Sequence, residues 1–128
     1  MRLFRYMSEQ ELEKYLSGKT LYNHSDHKGS RTSSVGFCFF NQDDIDPIKA
    51  YSCLIGIASV DYLVVFNVTG DAEKQLTKSY GVYRKPEVGN ETEQIKLTEY
   101  CTTRYNKRDF QLYQAWQLMV PMPVFKFN

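Results

Sequence analysis

A chain of 128 residues that is 42% hydrophobic and 24% charged is one domain's worth of sequence with enough apolar surface for a core, which excludes a disordered chain. A net charge of +1 lacks the basic excess that phosphate neutralisation demands and argues against generic nucleic-acid binding. Three scattered cysteines (Cys38, Cys53, Cys101) with no CxxC pair exclude a disulfide scaffold or zinc ribbon, and no apolar run approaches the ~20 residues that span a bilayer.

In chain order, Leu3–Tyr6 reads as a short first strand carrying Arg5. Ser8-Glu9-Gln10-Glu11 is a capping box, in which the Ser8 hydroxyl accepts from the N–H of Glu11 and the Glu11 carboxylate reaches back to Ser8. Met7 and Leu12 stand where a hydrophobic staple sets them, and Leu12, Tyr15 and Leu16 share one helical face. The pattern predicts a helix over Glu9–Ser17, stopped by Gly18. The turn into an amphipathic helix comes too early for a secretion signal, and the cysteine usage suits a reducing compartment, so the expected location is cytoplasmic.

Lys19–Tyr22 follows as a second strand, then a polar loop to Ser34. Val35–Phe40 reads as a buried strand. Asp46-Pro47 opens a second helix to about Ala58 that turns Ile48, Tyr51 and Ile55 inward. Tyr62–Val68 is the strongest strand pattern, and its unbroken apolar run places it centrally. Asp71–Lys78 reads as a short helix and Lys85–Asn90 as a turn. Strands follow at Gln94–Leu97, Tyr100–Thr103 and Phe110–Trp116, the last two joined by a turn at 106–109, with an edge strand or packed tail toward Phe127. The fold class is α+β: a single compact domain with a mixed or antiparallel sheet and two main helices.

Few residues invite chemistry. His24-Ser25-Asp26-His27 holds ligand types, but its spacing matches no metal motif and ordinary loop chemistry explains it, so no metal site is expected. No GxSxG, GxGxxG or GxxxxGK[ST] segment is present. What remains is dispersed: Arg5 on the first strand, Thr32-Ser33-Ser34 leading into Val35-Gly36-Phe37, and Glu99 before a late hairpin.

That order resembles the ADP-ribosyltransferase superfamily, in the branch with an Arg–Ser–Glu signature. There an Arg lies on the first strand and a helix follows. A Ser-Thr-Ser segment leads into an aromatic strand, and a Glu opens a later strand before a turn and a final strand. The family's Ser-Thr-Ser stands here as Thr-Ser-Ser. Arginine-modifying members carry Glu or Gln two residues before the catalytic Glu, where this chain has Leu97, so the resemblance does not imply arginine as acceptor. Glu93, in Glu91-Thr92-Glu93, is the alternative carboxylate.

The resemblance implies an ADP-ribosyltransferase-like fold that binds NAD and transfers ADP-ribose to an acceptor such as a protein, or hydrolyses NAD. Glu99 would stabilise the positive charge developing on the ribose, with Ser33 positioning its carboxylate. Arg5, Thr32 and Ser34 would hold the dinucleotide, and Phe37 or Tyr51 would face the nicotinamide. Two other readings use the same residues. One is a non-enzymatic module that binds a nucleotide or a protein partner. The other is an RNA-end nuclease or phosphotransferase built from His24, His27, Arg31 and Arg104.

Overall fold

Residues 1–23, 32–33, 36–45, 47, 61–85, 93–119 and 124–127 are described by the computed structural model. Strand β1 (Arg2–Met7) ends at Ser8, whose hydroxyl accepts from the Glu11 N–H at 3.2 Å, and α1 (Glu9–Leu16) starts there. The helix closes through Ser17, and Gly18 follows at φ +85°, a conformation that costs glycine little. Two short strands, β2 (Leu21–Tyr22) and β8 (Arg104–Tyr105), pair to form a separate ribbon beyond α1.

The main sheet is antiparallel at every described pairing. Its members are β1, β3 (Thr32–Ser33), β4 (Gly36–Asn41), β5 (Tyr62–Val68), β6 (Thr77–Lys85), β7 (Glu93–Thr102), β9 (Phe110–Met119) and β10 (Val124–Phe127). They run in the order β10-β9-β5-β1-β4-β7-β6, with β3 attached to β4. The β5 run is interior, as its continuous apolar character requires, and β10 occupies an edge. Helix α2 (Gly70–Lys74) is capped by the Thr69 hydroxyl, which accepts from the Ala72 N–H. The fold is therefore α+β on an antiparallel sheet.

Three expectations need correction. The helix expected over Asp71–Lys78 stops at Lys74, because Thr77 and Lys78 already pair with Cys101 and Tyr100. The same pairing creates β6, which starts in the expected helix, runs through residues 79–84, for which no element was expected, and ends at the expected turn. The two strands expected at Gln94–Leu97 and Tyr100–Thr103 are one, so Glu99 lies inside β7 rather than before it. The expected second helix falls outside the described residues except for Pro47, which is helical. No helix among the described residues is long and apolar enough to cross a membrane.

At the centre of the sheet, in β1, β4 and β5, both faces are buried. Cross-strand partners share a face, so the register sorts the side chains. Leu3, Arg5 and Met7 lie with Phe37, Phe39, Val64 and Phe66 on the face covered by α1. Tyr15, Tyr105 and Phe110 join this cluster through edge-to-face contacts, such as Phe37–Tyr105 at 4.9 Å between centroids. Phe4, Tyr6, Cys38, Phe40, Leu63 and Val65 lie on the opposite face, each at most 2% exposed. Tyr6 packs edge-on against Phe4, and its hydroxyl donates to the Pro47 carbonyl.

Gly36 begins β4 at φ +114°, and a Cβ there would meet the Thr102 carbonyl oxygen at 2.2 Å. Both the dihedral and the space demand glycine. Gly36→Ala is expected to cost about 3 kcal/mol, from strain and overpacking together. Equilibrium urea unfolding measures this, and a loss below about 1 kcal/mol would contradict the close approach of β4 and β7.

Burial also sets an alkaline limit on stability. The Tyr15 hydroxyl donates to the Phe110 carbonyl at 2.5 Å, and burial pushes its pKa up to about 12. Burial, reinforced by the Glu11 carboxylate, raises Tyr105 in the same direction. The fold holds both protons more tightly than the unfolded chain. Stability is thus intact below pH ~10 and falls as pH rises toward the folded values. For Tyr15 the loss approaches about 3 kcal/mol, at ~1.4 kcal/mol per pH unit. Melting temperatures between pH 9 and 12 test this, and Tyr15→Phe should flatten part of the decline.

Candidate functional site

Arg5 is the largest fully buried side chain among the described residues. Its Nε and Nη2 donate to the two carboxylate oxygens of Glu11, each at 2.7 Å, forming a bidentate pair across the β1–α1 turn. Its Nη1 donates to the Cys38 carbonyl at 3.1 Å, and its guanidinium carbon lies 5.1 Å from the Phe37 ring centroid. Tyr105 donates its hydroxyl to Glu11 Oε2 at 2.6 Å. Burial opposes the charge on Arg5, but Glu11, with smaller help from Tyr105 and Cys38, outweighs it and holds the pKa above the ordinary arginine value. The fork expected to hold the dinucleotide is thus closed on an internal carboxylate.

The Cys38 bond lies at a seam where the β1–β4 ladder ends. β1 pairs with β4 only at Leu3–Asn41 and Phe4–Phe40, yet it stays paired with β5 through Met7. Beyond Phe4 the β1–β4 ladder stops, and an arginine N–H takes a carbonyl of β4 in its place. Farther along the same edge of β4, β3 pairs Thr32 with Phe37 and Ser33 with Gly36.

Glu99 borders this seam from the far side of β4. It pairs with Phe40 and is 5% exposed, on the face of Phe4, Tyr6 and Cys38. Cys101 pairs directly with Cys38, and the two Sγ atoms are 3.6 Å apart. A carboxylate oxygen of Glu99 and both sulfurs lie within 4.8 Å of one another. An acidic group, two thiols and the Tyr6 ring are thereby gathered on one buried face beside a break in the backbone ladder.

The residues expected at the site are therefore divided. Arg5 and Phe37 lie on the helix-covered face and Glu99 on the other, so the sheet separates them. Phe37 is core, 0% exposed and packed on Tyr105, and does not offer its ring to a ligand. Ser33 and Glu99 pair with opposite edges of β4, four residues apart along it. That register separates their Cα atoms by on the order of 15 Å, too far for the direct hydrogen bond expected of them. Thr32 flanks Ser33 in β3, while Ser34 and Tyr51 fall outside the described residues, as do His24 and His27. Glu93 is the first residue of β7, paired with Lys85, six residues from Glu99 and remote from the seam.

Sequence reading missed Tyr6 and the pairing of Cys38 with Cys101. Tyr6 follows Arg5 and so faces the Glu99 side. Alternation alone separates it from Arg5 but does not say which of the two shares a face with Glu99. Cys38 and Cys101 are 63 residues apart, and only the β4–β7 register joins them. A polar cleft of about 270 Å³ lies elsewhere, lined by Thr20, Tyr22, Gln75, Arg104, Arg108 and Asp109 among others. Its turn is shaped by Asn106, whose side-chain oxygen accepts from the N–H groups of Arg108 and Asp109.

Compared with known proteins, the chain matches no family model, no curated protein and no solved structure.

Proposed function

We propose that this protein is an ADP-ribosyltransferase-like enzyme that binds NAD and cleaves its nicotinamide–ribose bond, with Glu99 as the reactive carboxylate. The observation that carries the reading is the enclosure of Glu99, 5% exposed, beside the seam where β1 leaves β4. The order of elements supports it. An Arg-bearing strand and a helix come first, and Thr-Ser-Ser then leads into the aromatic β4. A Glu-bearing strand, a turn and a last long strand follow. Strand β4 lies between β1 and β7, so the first strand and the Glu strand flank one central strand.

Cleavage leaves an oxocarbenium-like ribose, and a carboxylate held away from water stabilises that charge more strongly than one in solvent. Glu99 is so held, with Tyr6 supplying an aromatic ring on the same face. Arg5 has a different part from the one the resemblance implies. It ties β1 to α1 through Glu11 and to β4 through Cys38, and so holds the fold and not the dinucleotide. Leaving the nucleophile to an acceptor or to water makes both transfer and hydrolysis open to the same site.

One observation favours the recognition-module reading. Arg5 and Phe37, two of the residues the resemblance brings to the dinucleotide, lie on the other side of the sheet. Calorimetry with NAD, together with chromatographic detection of nicotinamide, separates the readings. Binding with nicotinamide release is the expected result. Binding without release would favour a recognition module, and absence of both overturns the NAD reading.

A further inference from the structure

We infer that Cys38, Cys101 and Glu99 form a binding site for a thiophilic divalent cation of the zinc class. Two thiols and a carboxylate are donors of the zinc-binding kind, and a set of three leaves one coordination position open. Their spacing agrees with the ion. Metal–sulfur bonds of ~2.3 Å at a tetrahedral angle separate two sulfurs by about 3.8 Å, and Cys38 and Cys101 stand 3.6 Å apart. A disulfide needs about 2.05 Å. The Glu99 oxygen lies within 4.8 Å of both sulfurs, so a modest side-chain adjustment brings it to the metal.

The scaffold is rigid where it matters. The two cysteines are direct cross-strand partners, and Glu99 precedes Cys101 by two residues on the same face of β7. An open cavity of about 640 Å³ lies beside the β7 end of the cluster, with Cys101 among its lining residues. Binding is balanced by proton release: the cation takes two thiolates and one carboxylate, and two thiol protons pass to solvent. An occupied site would withdraw Glu99 from a ribose. That consequence rests on the transferase reading, so the cation is measured without NAD.

The probe is cobalt(II), added to the reduced full-length protein and followed by absorption, with zinc as competitor. The expected result is a thiolate-to-cobalt charge-transfer band at one ion per chain, quenched by zinc, with about two protons released per ion near neutral pH. Cys38→Ser and Cys101→Ser should each weaken binding by at least ~100-fold, while Glu99→Gln should keep the thiolate band and bind more weakly. Proton release by the unaltered protein serves if a cysteine variant misfolds. No thiolate band in the reduced protein, or a band that survives both serine variants, overturns the inference. So does a protein that forms a Cys38–Cys101 disulfide with oxidised glutathione yet binds neither ion when reduced.

Discussion

Glu11→Ala is expected to remove about 3–5 kcal/mol of stability, because it leaves the Arg5 guanidinium buried without its counter-charge. Both side chains are 0% exposed, and Arg5 makes two 2.7 Å bonds to this one carboxylate. Water cannot replace the lost acceptor without opening α1 from the sheet. Domains of this size have about 5–15 kcal/mol in total, so the variant should stand near the threshold of folding. Urea titration followed by Trp116 fluorescence measures it. The expected outcome is a large fall in midpoint, and a cost under about 1 kcal/mol would show that the pair is hydrated in solution. Arg5→Met with Glu11→Leu removes both charges and fills the space, and should recover most of the loss. Tyr105→Phe should cost less, about 1–2 kcal/mol, since Glu11 keeps its bidentate partner.

This pair shows where sequence reading stops. The Ser8 cap, the Gly18 stop and the strand at 62–68 were legible because each depends on neighbours in the chain. Glu11 was legible only as a capping-box residue. Its carboxylate also answers to Arg5 and Tyr105, and the second of these is 94 residues away. Strand β6 was missed for a related reason. Its Thr77-Lys78 start continues a helical pattern from α2, and nothing local shows that β7 offers a partner edge for nine residues. Tertiary pairing overrides a weak local preference there.

The candidate site was legible as residue types and illegible as faces. Glu99 was chosen from its context, and the structure does enclose it. Whether Arg5 or Tyr6 shares its face depends on a register relayed through β4. Phe4 pairs with Phe40 and Phe40 with Glu99, so the even-numbered residues of β1 share the face of Glu99. A one-residue slip at either pairing would exchange Arg5 for Tyr6. Glycine 36 guards against such a slip, since only its position accepts the close approach of the Thr102 carbonyl.

Glu99→Gln is expected to lower the rate of nicotinamide release by roughly 10²–10³-fold with NAD affinity nearly unchanged, because the amide keeps the shape and loses the charge that the transition state requires. The cavity stays filled, so the melting temperature should move little. The informative comparison is the Arg5→Met, Glu11→Leu double variant. If Arg5 gripped the dinucleotide, this variant would lose NAD binding along with Glu99→Gln's turnover. With Arg5 on the opposite face and its fork committed internally, the double variant should keep both affinity and rate within several-fold. Steady-state kinetics on the two variants, with folding verified by circular dichroism, gives four values to compare. Loss of turnover in the double variant beside full turnover in Glu99→Gln would move the chemistry to the helix-covered face and take Glu99 out of it. The reverse pattern would place the reaction on the face that Glu99 shares with Tyr6, and would leave Arg5 as a residue of the fold and not of the site.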